Sequence, residues 1–164
     1  MTTKFLLSAT GLLLLAACGS GDRDTTRATT EKDGVKTTIE VSNAWCRATP
    51  NGARTGACYF TVKSSAAERL TGVATPAASV AQLHSMAMAA GRMTMAEIPD
   101  GLALPAGKAV ELKPGAAHLM LIGLTGPLIE GQSVELTLGF HDAPAMQVLA
   151  PVRLPGAEGE TKRE

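Results

Sequence analysis

Between Thr37 and Pro151 the chain alternates short apolar runs with Pro and Gly at short intervals: TTIEVSNAWC, GACYFTVK, AVELKPG, AHLMLIGL, QSVELTLGF and AMQVLAPV. Their period is two. Val134, Leu136 and Leu138 fall on one face while Glu135 and Thr137 fall on the other, the pattern of a half-buried strand. Many short strands separated by turn residues predict an all-β antiparallel sandwich or barrel. The Ala-rich piece from Ala77 to Gln82 is expected to form one helical turn at most, too short to change the class. No internal repeat is evident.

The ends read differently. Lys4, Phe5-Leu6-Leu7, the Leu run after Gly11 and the closing Leu15-Ala16-Ala17-Cys18 have the charged start, short apolar stretch and small residues of an export signal. The stretch is too short to span a bilayer as a mature helix. Its ending resembles a bacterial lipobox, which implies that residues 1–17 are a lipoprotein signal peptide and that Cys18 becomes the lipidated first residue. Gly19, not Asp, follows, so the resemblance implies an anchor in the outer membrane, facing the periplasm; plain secretion is the alternative. Residues 18–36 mix Gly, Thr and both charge signs and are expected to be a flexible tether. Residues 37–154 then form one β domain, and 155–164 a disordered charged tail.

Composition narrows the partners. Lys plus Arg and Asp plus Glu both count 15, the formal charge is +0, and the basic residues do not cluster, which sets nucleic acid aside. Of three cysteines, assigning Cys18 to lipid leaves Cys46 and Cys58 flanking the loop that runs from Ala48 to Thr55. If that loop joins antiparallel strands, the thiols face each other and an oxidising compartment pairs them; otherwise they are two buried free thiols.

The segment LHSMAMAAGRMTMAE, residues 83–97, holds four of the seven methionines and one of the three histidines. A two-residue turn at Ala90-Gly91 sets Ala89 against Arg92, Met88 against Met93, Met86 against Met95 and His84 against Glu97. Alternation then collects His84 and all four thioethers on one face, with Ser85, Ala87, Thr94 and Ala96 on the other. Methionine commonly fills gaps in cores, but this face lacks the Val, Ile, Leu and Phe that the other strands use. In PGAAHLMLIGL, His118 and Met120 repeat the His-x-Met relation of His84 and Met86.

Thioether sulfur is a soft neutral donor suited to Cu(I), and imidazole tolerates the same ion. Zinc prefers thiolate, imidazole or carboxylate, and calcium prefers oxygen. A carrier exported to an oxidising compartment also gains from avoiding Cys, which disulfide formation would remove. Thioethers need no deprotonation, so affinity depends on pH mainly through the two imidazoles.

On these residues the chain resembles the periplasmic copper(I) chaperones of the PCuAC type, which help assemble the dinuclear copper centre of cytochrome c oxidase. That family's motif is His, ten residues, Met, about twenty-one residues, then His-x-Met. Here ten residues lie between His84 and Met95, twenty-two between Met95 and His118, and Met120 completes the pattern. The extra residue is assigned to the loop IPDGLALPAGK. The resemblance covers about residues 37–152, through NAWCRATPNGARTGACYFTV, VELKPGAAHLMLIGL and GPLIEGQSVELTLGF as well. It implies a cupredoxin-like Greek-key β-barrel or sandwich holding one Cu(I) on His84, Met95, His118 and Met120, with Met86 packing beside the metal or serving in exchange. It also implies a monomer whose partner is a copper acceptor, either cytochrome c oxidase subunit II or another copper chaperone.

His141 and Met146 fall outside both His-x-Met elements and are expected to be ordinary strand-end residues, and Trp45 a core anchor. After Met146 the tail carries no His or Met for a further site. Two other functions compete with delivery: a copper-resistance buffer without a specific acceptor, and an envelope structural domain whose Met face is a protein contact. No Ser-His-Asp or Cys-His arrangement points to an enzyme.

Overall fold

The period of two along QSVELTLGF is realised as a strand in which Val134, Leu136, Leu138 and Phe140 are buried and the residues between them are not. The computed structural model describes residues 25–32, 34–89 and 91–156. Among these every regular element is a strand: β1 (Thr25–Lys32), β2 (Val35–Arg47), β3 (Thr55–Ser64), β4 (Glu68–Ala74), β5 (Ala78–Ala89), β6 (Arg92–Glu97), β7 (Leu102–Leu104), β8 (Ala109–Leu112), β9 (His118–Leu124), β10 (Ser133–Phe140) and β11 (Met146–Arg153). The fold is all-β, as the alternation predicts.

The strands form one open sheet in the order β6-β5-β9-β3-β2-β11-β10-β4-β7, with β1 paired to β2 and β8 to β3. β11 runs parallel to β2, while β5 pairs antiparallel with β9 and β9 with β3, so neighbours in space are distant in sequence. Buried side chains from strands throughout that order, including Val41, Phe60, Leu70, Leu83, Leu119 and Leu138, belong to one cluster. The sheet therefore folds over itself around a single core.

Three expectations are corrected. Ala78–Ala89 is a strand rather than a helical turn, because Ala78 to His84 pairs along the leucine-rich β9 and tertiary pairing outweighs the helical preference of alanine. The tether is, over its described part, a β-hairpin: β1 lies along β2 from Thr25↔Ser42 to Lys32↔Val35, with Arg27 Nε and Nη2 both donating to Glu40 Oε2 and a Thr29–Thr38 hydroxyl contact of 3.2 Å. β-Branched threonines fit such a pleated surface without needing a core. The loop IPDGLALPAGK contains β7, whose Leu104 enters the core and which pairs with β4 at the opposite end of the strand order from β6. The signal peptide, Cys18 and residues 157–164 lie outside the described residues.

Cys46 and Cys58 oppose each other across β2 and β3, with Cα atoms 4.0 Å apart, and are joined as a buried disulfide. Trp45 is buried, but outside the main cluster. It pairs in register with Tyr59, their ring centroids 4.6 Å apart.

Candidate metal centre

The register of the methionine hairpin is the one its spacing predicts. β5 and β6 pair Met88 with Met93, Met86 with Met95 and His84 with Glu97. Gly91 lies at φ +75°, a left-handed conformation that glycine adopts without steric penalty. On the other side of β5, β9 sets His118 directly opposite His84 and Met120 opposite Gln82. Leu83, Leu119 and Leu121, which alternate with these residues, point into the core. The His and Met side chains consequently stand on the outer face of the sheet.

The two imidazoles meet edge to face, centroids 5.8 Å apart and planes at 62°. Met95, His118 and Met120 line one open cleft of about 460 Å³, whose far wall is Arg47, Thr49 and Pro50. That wall is pinned: Ala48 N donates to Arg153 O at 2.9 Å, Thr49 N to Leu128 O at 3.0 Å, and Leu128 N to Thr49 Oγ1 at 2.9 Å. His84 stands beside His118 rather than on the cleft lining. His84, Met86, His118 and Met120 are half-buried, whereas Met95 is 50% exposed.

Hydrogen bonds orient both rings. His118 Nδ1 lies 3.1 Å from Ala116 O, a carbonyl that only accepts, so Nδ1 carries the proton and Nε2 presents its lone pair. His84 Nε2 lies 3.3 Å from Gln82 Oε1, which puts that proton on Nε2 and the lone pair on Nδ1. His84 Nδ1 is buried and has no hydrogen-bond partner among the described residues. An unpaired buried acceptor costs about 1–3 kcal/mol. The chemistry of this donor set, imidazole lone pairs beside thioether sulfurs, would fit a soft cation. Gln82 is the residue that sequence reasoning missed. The signal was present, since Gln82, His84, Met86 and Met88 continue one period-two face.

His141 and Met146 stay apart from this centre. Met146 is a core residue at the start of β11, and His141 is exposed, with Nδ1 3.1 Å from Asp142 Oδ2. Glu68, His141 and Asp142 do bring ligand atoms within 4.8 Å of one another. The Glu68 carboxylate, however, already accepts from the backbone N–H groups of Arg69, His141, Asp142 and Ala143 at 2.7–3.2 Å. Its lone pairs are engaged in holding the β10–β11 turn.

Comparison with known proteins agrees with this architecture. The LpqE-like lipoprotein family matches residues 39–152. A protein named as a lipoprotein, Lxx21020 of Leifsonia xyli subsp. xyli, is 38% identical over 117 residues, covering 70% of this chain and 69% of its own. Among solved structures, the copper-bound PCuAC domain of PmoF2 superposes with TM-score 0.60 at 28% identity, over 71% of this chain and 93% of that one. The Cu(I) form of DR1885 from Deinococcus radiodurans superposes with TM-score 0.53 at 35% identity, over 68% and 76%. The cupredoxin-like β fold is common to them.

Proposed function

As the chain belongs to the LpqE-like lipoprotein family, we propose that it is a lipid-anchored envelope protein that carries one Cu(I) ion on His84, Met95, His118 and Met120 and passes it to an acceptor protein. The anchor is the lipid on Cys18. The observation that carries the metal reading is the pairing of His84 with His118 beside Met95 and Met120, with a buried His84 Nδ1 that has no hydrogen-bond partner among the described residues. Copper in the PmoF2 domain and Cu(I) in DR1885 support the choice of ion.

The mechanism is one of holding and release. Two imidazole nitrogens and two thioethers are neutral, so the loaded centre keeps the charge of its cargo. An acceptor with acidic residues around its own site is then drawn towards the cleft. Met95, on the exposed strand β6, is the ligand an acceptor reaches first, and Met86 opposite it can take its place during exchange. His118 and Met120, on a central strand, let go last. A periplasmic acceptor is proposed, either cytochrome c oxidase subunit II or another copper chaperone. This is the work of a binding protein and calls for no catalytic residue.

The test is a Cu(I) titration against a competing chelator, with His84 and His118 resonances followed, then mixing of the loaded protein with purified acceptor domains. One tight equivalent that perturbs both rings and moves to an acceptor supports delivery. Tight binding without transfer identifies a buffer, and no Cu(I) binding removes the metal reading altogether.

A further inference from the structure

The methionine hairpin extends beyond the centre just described. β5 pairs with β9 only from Ala78 to His84, so Ser85 to Ala89 have β6 as their one strand partner among the described residues. The hairpin tip is a two-stranded ribbon projecting past the start of β9. Such a ribbon is marginally stable alone, and its tip carries Met88 and Met93, 65% and 52% exposed. Packing does not account for them, since neither belongs to the core. The opposite face has conventional occupants: Ser85 Oγ donates to Ala96 O and Thr94 Oγ1 to Ala87 O.

Register brings the two exposed thioethers together. Ala89 and Arg92 close the two-residue turn, which makes Met88↔Met93 and Met86↔Met95 the non-hydrogen-bonded pairs, in which opposed side chains stand closest. Their Cβ atoms lie about 4.5–5.5 Å apart in such pairs, and each side chain is long, unbranched and flexible. Successive rungs on this face are separated by two residues, about 6.8 Å. The face therefore presents sulfur pair, sulfur pair, then the His84–His118 row.

We propose that Met88 and Met93 form a second, outer site for a soft monovalent cation, an entry station from which the ion steps by ligand exchange through the Met86–Met95 rung to the inner centre. Two thioethers without an imidazole bind less tightly than the inner donor set, which gives the transfer its direction. The inference deepens the copper reading and rests on it for the identity of the ion; the Met88–Met93 geometry stands independently.

The experiment titrates the protein with Ag(I), a redox-inert stand-in for Cu(I), while the methyl groups of its ¹³C-labelled methionines are followed by NMR. The first equivalent is expected to move Met95 and Met120, and the second to move Met88 and Met93. Replacing both outer residues, Met88→Leu with Met93→Leu, keeps the apolar bulk and should abolish the second response while leaving the first in place. Two equivalents still taken up by that double variant, or Met88 and Met93 unmoved at two equivalents, overturn the outer site. In a His118→Ala background the inner response is lost, and the outer pair is expected to respond to the first equivalent instead. A silent outer pair there also overturns the proposal, whereas wild-type protein in which only the outer pair responds overturns the inner reading and leaves the outer site standing.

Discussion

His84 on β5 and His118 on β9 are direct cross-strand partners, their ring centroids 5.8 Å apart, although the methionine hairpin and the two short strands β7 and β8 separate them along the chain. Each ring is held by a neighbour two residues away on its own strand side, Gln82 for one and Ala116 for the other. Both imidazoles are thus oriented by the protein itself, with methionines on the same face of the sheet.

His118→Ala and Met120→Ala are each expected to weaken Cu(I) binding by more than about 100-fold, since even a partner that only orients a ligand is worth about 10–100-fold. Both residues lie on the outer face, so the fold is expected to survive. Met146→Ala is the counterpart: it opens a cavity in the core, with an expected loss of about 2–5 kcal/mol and no change in affinity. Chelator competition run beside thermal denaturation checks all three, and a large affinity drop in Met146→Ala would move the site.

Gln82→Leu tests the orientation of His84. The variant keeps the side-chain bulk but removes the acceptor at Nε2, so Cu(I) affinity is expected to fall by about 10–100-fold. Nitrogen-15 shifts of His84 in the metal-free protein are expected to report a changed tautomer. Unchanged shifts would mean that Gln82 does not position the ring.

The Cys46–Cys58 bond closes a loop of sequence separation 12 and, by chain entropy, is expected to contribute about 3 kcal/mol. Cys58 faces Leu119, between His118 and Met120, but on the core side of β9. Replacing both cysteines with alanine is therefore expected to lower stability and leave copper affinity unchanged. Thiol labelling of denatured, unreduced exported protein is expected to find neither sulfur reactive.

Metal choice follows from donor softness: Cu(I) is expected to bind far more tightly than Cu(II) or Zn(II), which gain little from neutral sulfur. Acidification lowers the affinity, because protons compete with the ion for both imidazoles and for neither thioether. Mild peroxide is expected to oxidise exposed Met88, Met93 and Met95 first, half-buried Met86 and Met120 later, and buried Met146 last. Peptide mass mapping against residual Cu(I) binding checks the order. Loss of binding should track sulfoxide at Met95 and then Met120, and retention after both are oxidised would mean that the methionines are not ligands.

Local pattern determined much of this protein. Period-two alternation fixes which residues of β10 and β11 enter the core, and a single glycine in a run of methionines fixes the hairpin register, because side-chain direction and turn length are properties of the chain itself. The shared face of the His and Met residues was legible for the same reason: each His-x-Met puts both side chains on one side of its strand. Other features depended on pairing between distant segments. Alanine-rich β5 is a strand because β9 lies beside it, and threonine-rich β1 is ordered because β2 extends out to meet it. The cleft wall from Arg47 to Pro50, the role of Gln82 and the unsatisfied His84 nitrogen arise where three elements converge. Hydrogen-bond satisfaction is a property of the assembled surroundings, so only the tertiary structure decides which nitrogen of His84 is left without a partner among the described residues.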